Sequence, residues 1–110
     1  MRYFVFFLQK ADGDITIGKA NLNDFQSRLA NITRQYGPVK ALGVVEGDVD
    51  TERALHQQFA AYRRPLSIRR RNVNFWFAPV DKLLQFITAN CIPLLRVPSC
   101  TERTYKLVNE

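Results

Sequence analysis

Glu52 and His56 stand four residues apart in Thr51-Glu52-Arg53-Ala54-Leu55-His56-Gln57-Gln58-Phe59, and both are side chains that do chemistry. A carboxylate binds hard divalent cations, and an imidazole carries protons or ligates metals. Leu55, Phe59 and Tyr62 recur at i, i+4 and i+7, the apolar stripe of an amphipathic helix. Glu52 lies three residues before Leu55, on the edge of that stripe. Arg28 holds a similar place on another expected helix, three after Phe25 and four before Ile32. A lone charge near an apolar face is costly unless it meets an opposite charge, a phosphate or a metal. Two readings follow. Arg28 and Glu52 form an inter-helix salt bridge, or they build a phosphate site. In the second, the guanidinium forks onto phosphate oxygens and the carboxylate holds Mg²⁺ or Mn²⁺. His56 shares the face of Glu52, either as a hydrogen-bonded structural residue or as a participant.

A second group is cationic. Arg63, Arg64, Arg69, Arg70 and Arg71 place five guanidinium groups within nine residues, with no acid among them. Such a run is either a solvated loop or a phosphate-tracking segment, which would bind DNA without sequence preference and with strong salt dependence.

The elements that must position these residues follow from periodicity and punctuation. Residues 3–9 form a continuous apolar, aromatic run, which suits a central strand buried on both faces. Ala11-Asp12-Gly13-Asp14 is a turn signal, and Ile15-Thr16-Ile17-Gly18 completes a hairpin. Asn21 to Asp24 is rich in N-cap types, Phe25, Leu29, Ile32 and Tyr36 follow at helical spacing, and Gly37-Pro38 ends that helix. Val39 to Val45 reads as a strand, and Asp48 to about Tyr62 as the second helix, stopped by Pro65. Asn74 to Phe77 reads as a short strand or extended anchor. Trp76 within it is a core anchor or a base-stacking ring. Pro79 opens a third helix with Leu83, Leu84 and Ile87 on its buried side. The expected fold is α+β: a small, three-stranded, mainly antiparallel sheet flanked by three helices.

Length allows one domain, and a hydrophobic share of 46% supplies a real core. We expect the domain over residues 1–90 and an extended tail over 91–110. The net charge of +6 favours a polyanionic partner. Cys91 and Cys100 lack the spacing of a zinc site, and nothing points to an oxidising compartment. The apolar start is too short to span a membrane, so a cytoplasmic location is expected.

At these residues the chain resembles the GIY-YIG nuclease superfamily, and more closely its phage-type branch, often labelled a DNA-binding domain. The resemblance rests on Phe6-Phe7-Leu8-Gln9, Thr16-Ile17-Gly18, Arg28-Leu29, Ala41-Leu42-Gly43-Val44-Val45, Glu52-x-x-Leu55-His56-x-x-Phe59 and Trp76-Phe77. It covers about residues 3–90. It implies a DNA-binding domain and a divalent-metal-dependent endonuclease that hydrolyses phosphodiester bonds. Glu52 would be the metal ligand for Mg²⁺ or Mn²⁺, and Arg28 would stabilise the phosphate. Tyrosines on the first two strands help activate water in that family. Here the second-strand position is Thr16, and the first-strand position is Phe6, or Tyr3 if the hairpin is longer. Tyr3, Thr16 and His56 would line the site. Lys19, Arg63, Arg64, Arg69, Arg70 and Arg71 would contact DNA, and no small-molecule cofactor is expected. The alternative is a non-cleaving DNA-binding module of the same fold, and Thr16 is its best argument. A third possibility is a protein-interaction domain with an acidic partner.

Overall fold

Five consecutive side chains, Phe4 to Leu8, have no solvent exposure. They belong to the first strand, β1 (Tyr3–Lys10). Successive strand residues point to opposite faces, so a run of this kind needs cover on both sides. The chain, described over residues 3–65, 74–97 and 104–107 in a computed structural model, supplies that cover with helices above and below one sheet.

β1 turns through residues 11–14 into β2 (Ile15–Asn21), and the two pair antiparallel from Tyr3↔Asn21 to Gln9↔Ile15. The turn is held by Gly13 at φ 102° and by Gly13 N–H donating to Lys10 O at 2.9 Å. Asn21 and Asp24 then exchange bonds, each backbone N–H donating to the other's side-chain oxygen at 3.0 and 2.9 Å. That reciprocal box launches α1 (Phe25–Tyr36), and Gly37 at φ 92° ends it. β3 (Val39–Glu46) returns along the other side of β1, also antiparallel. Its register shifts by one residue, since Phe7 pairs Gly43 while Leu8 pairs Ala41. Leu42 is therefore the extra residue of a bulge. Gly43 sits there at φ 153°, where a Cβ would come within 2.8 Å of the Cys91 Cβ.

α2 (Val49–Gln58) begins at Asp48, whose carboxylate accepts from the Asp50 and Thr51 N–H groups. The expected helix to Tyr62 is α-helical only to Gln58 and finishes as a 3-10 turn at Ala60–Tyr62. β4 (Trp76–Phe77) follows, and then α3 (Asp81–Asn90). The expectation of three strands is corrected to four, in the order β3-β1-β2-β4. β4 pairs with only Ile15 and Thr16 of β2. Trp76 and Phe77 alternate into the two cores, which makes so short a strand worth ordering. On its outer side the Arg64 N–H donates to Trp76 O and the Ala78 N–H to Tyr62 O. In the segment expected as a tail, the Ile92 N–H donates to Val44 O at 2.8 Å, and β5 (Leu94–Val97) pairs antiparallel with β6 (Thr104–Leu107).

The two cores follow from strand parity. Phe4, Phe6, Leu8, Ala20, Val44 and Trp76 meet Phe25 and Ile32 of α1. Val5, Phe7, Ile15, Ile17 and Phe77 meet Leu55 and Phe59, with Leu83 and Ile87 of α3. Burial pushes the Cys91 thiol up to about 12, so it stays neutral and packs as a small apolar group. Among the described residues no helix is long and apolar enough to cross a membrane.

The start of α2 depends on one cap. Asp48→Ala is expected to lower stability by about 1 kcal/mol in urea denaturation, because two N–H groups lose their acceptor.

Candidate phosphate and metal cleft

β4 ends its pairing at Thr16, so the edge of β2 from Ile17 onward has no neighbouring strand among the described residues. α1 lies on one face of the sheet and α2 on the other, and residues of both line the space beside Ile17 and Gly18. Between them lies an open cleft of about 1010 Å³. Arg28 lines it from α1, Glu52 and His56 from α2, and Ile17, Gly18 and Phe75 form further wall. The three residues singled out for their chemistry thus arrive at one cavity from opposite layers.

The Arg28 side is set by a glycine. Gly18 pairs with Phe6 across the β1–β2 ladder. A Cβ at Gly18 would meet the Phe6 ring at 2.4 Å. The missing side chain lets that ring lie flat against β2. The Arg28 guanidinium stands over it, 5.8 Å from the centroid. Arg28 has no carboxylate partner among the described residues, and the Arg28–Glu52 salt bridge, one of the two readings of these charges, does not form.

The α2 side is set by a histidine. His56 Nε2 lies 2.8 Å from Ile17 O, on the open edge of β2. A carbonyl only accepts, so Nε2 carries the proton and donates. Phe77 and Phe75 meet the imidazole edge-on, with centroids 5.2 and 6.0 Å away. Glu52, one helical turn earlier, is half-buried, and its carboxylate has no hydrogen-bond or ion-pair partner among the described residues. Among those residues no three His, Cys, Asp or Glu side chains gather as a metal-binding set. A divalent ion here would rest on Glu52, with solvent and phosphate oxygens completing its shell.

Thr16 does not line this cleft. It points to the α1 face beneath Trp76, is 1% exposed, and donates its hydroxyl hydrogen to Phe75 O at 2.9 Å. The Asn74 side-chain amide donates in turn to Thr16 Oγ1 at 3.4 Å. Tyr3 lies at the far end of β1, opposite Asn21, exposed and covered on its ring by Lys19 Nζ at 5.5 Å. Neither Tyr3 nor Lys19 lines the cleft.

The arginines divide. Arg64 forks onto the Asp14 carboxylate at 3.2–3.3 Å and ties its segment to the β1–β2 turn. Arg63 stacks over the Phe75 ring at 4.6 Å. Arg69, Arg70 and Arg71 lie outside the described residues. Two further cations line the cleft. Arg34 donates to Asn31 Oδ1 at 2.8 Å, and Arg53 contacts Asp50 at 3.5 Å across exposed surface. The signal for Arg53 was present, because Val49, Glu52, Arg53 and His56 recur at i, i+3, i+4 and i+7 and form a face beside the apolar stripe. No protein-family model, curated protein or solved structure matches the chain.

Gly18 ties the sheet to Arg28. Gly18→Ala is expected to cost about 1–3 kcal/mol in chemical denaturation, since the Phe6 ring must shift within a packed core. A ring-current change at Phe6 in the NMR spectrum checks the cause.

Proposed function

We propose that the chain is a DNA-binding domain of the GIY-YIG type that hydrolyses phosphodiester bonds with Mg²⁺ or Mn²⁺. The observation that carries this reading is the convergence of Arg28 and Glu52 on one open cleft, each without an opposite charge beside it. A guanidinium and a carboxylate left unpaired in one cavity match a phosphate with its counter-cation. Arg28, steadied over Phe6, binds the phosphate oxygens through its fork. Glu52 presents the carboxylate that a hard cation needs, and its lack of a protein partner leaves both oxygens available. When bound, such an ion neutralises phosphate charge and acidifies a bound water. Arg34 and Arg53 extend the positive wall of the cleft, and the net charge of +6 supports a polyanionic partner.

A specific observation favours a second reading, a non-cleaving DNA-binding module of the same fold. The Thr16 hydroxyl is buried and engaged with Phe75 O, away from the cleft. In that position it takes no proton from an attacking water.

A plasmid-nicking assay with Mg²⁺ and with Mn²⁺ separates the two. Nicking that EDTA abolishes, and that Glu52→Ala and Arg28→Ala each reduce about 10²-fold or more, is the expected result. Cleavage that survives Glu52→Ala removes Glu52 from the metal site. DNA retardation without cleavage in either ion selects the second reading. Binding should weaken steeply between about 50 and 200 mM salt, as phosphate contacts demand. Failure to retard DNA at low salt points instead to a protein partner.

A further inference from the structure

His56 lines the cleft and is fixed there through one of its two ring nitrogens. Its Nε2–H is committed to Ile17 O at 2.8 Å. That bond places the lone pair of the neutral ring on Nδ1. No partner for Nδ1 exists among the described residues. Phe75 and Phe77 both pack against the ring at steep angles, with centroids 6.0 and 5.2 Å away. Metal-ligating histidines usually donate their other ring N–H to a carbonyl or carboxylate, which fixes tautomer and orientation. Ile17 O has that place here.

The second ligand stands one turn away. Glu52 and His56 are i and i+4 on α2, and both line the cleft. Residues so spaced have Cβ atoms about 5–6 Å apart on one helix face. That spacing lets two side chains share one ion, as paired ligands four apart on a helix do in metalloenzymes. The His56 side chain also leans toward the helix N-terminus, the direction of Glu52.

We infer that Glu52 and His56 Nδ1 together hold one divalent transition-metal ion, in a mixed oxygen–nitrogen site that selects Mn²⁺, Co²⁺ or Zn²⁺ over Mg²⁺. This rests on the reading of Glu52 as the metal ligand. Imidazole nitrogen binds first-row transition metals well, whereas Mg²⁺ prefers oxygen and keeps its water. Water and phosphate oxygens occupy the remaining positions.

The chain contains one histidine. In tag-free protein without DNA, any imidazole-nitrogen coupling to bound Mn²⁺ therefore comes from His56. Pulsed EPR of the Mn²⁺-loaded wild-type chain should show that coupling. A parallel titration should give Mn²⁺ affinity above that for Mg²⁺. His56→Gln should abolish the coupling and weaken Mn²⁺ binding about tenfold or more while leaving Mg²⁺ binding unchanged. Glu52→Gln should weaken both ions. Circular dichroism checks that the variants are folded, and the wild-type spectrum decides the matter without them. Mn²⁺ bound through Glu52 with no nitrogen coupling overturns the inference and leaves the nuclease reading intact. An absence of Mn²⁺ binding also overturns it. Nitrogen coupling in a chain that never nicks DNA upholds the metal site and removes the nuclease reading.

Discussion

Burial of β1 on both faces is the constraint on which the rest of the structure depends. Phe4 to Leu8 are wholly removed from water, and each large side chain so buried contributes about 1.5–3 kcal/mol. Neither face of such a strand can be left wet. Phe25 and Ile32 of α1 therefore close one side, while Leu55, Phe59, Leu83 and Ile87 close the other. Helices on opposite faces of a sheet meet only beyond its edge. The edge they meet over is that of β2, because β4 pairs with two residues and stops. The cleft is the consequence: an open margin of sheet with a helix on either side.

Strand alternation then decides what reaches that margin. Thr16 and Gly18 face α1, and Ile17 between them faces α2. At Thr16 the α1 face is covered, with Trp76 as its buried cross-strand neighbour, and the hydroxyl is taken up by Phe75 O and the Asn74 amide. At Gly18 that cover is gone and the Phe6 ring fills the space, offering a flat apolar seat to Arg28. On the other side the Ile17 carbonyl holds His56. Three consecutive residues of β2 thus serve a core, a helix and a cleft. Two residues nearer the turn, Asp14 anchors Arg64 and secures the segment that leads toward β4.

The electrostatics follow the same division. Arg64 is spent on structure, in a forked pair whose carboxylate is largely buried. Arg28 and Glu52 are not spent on each other. Both remain partly in water, so the cost of leaving them unpaired is small, and their charge stays available to a ligand. A direct pair would have satisfied each group with the other and left neither free for a ligand.

Much of this was legible in the chain itself. The continuous apolar run predicted a central strand, the N-cap-rich stretch Asn21 to Asp24 and Gly37 bracketed α1, and Leu55 with Phe59 marked the buried side of α2. Local rules suffice for these, because capping, periodicity and turn chemistry act over a few residues. The fourth strand was half legible, since Trp76-Phe77 is too short for alternation to distinguish a strand from an anchor. Proximity to a motif could not reveal which side chains converge. Thr16 stands two residues from Gly18 in sequence but faces a sealed core, and Tyr3 lies at the opposite end of the sheet. The free state of Arg28 and Glu52 and the pinned tautomer of His56 were likewise beyond sequence reading, because they depend on distances between α1, β2 and α2. The sequence by itself determined the elements and their apolar faces. Only the tertiary structure decided where β4 stops, and that stopping point opens the edge at which two helices from opposite layers share one cleft.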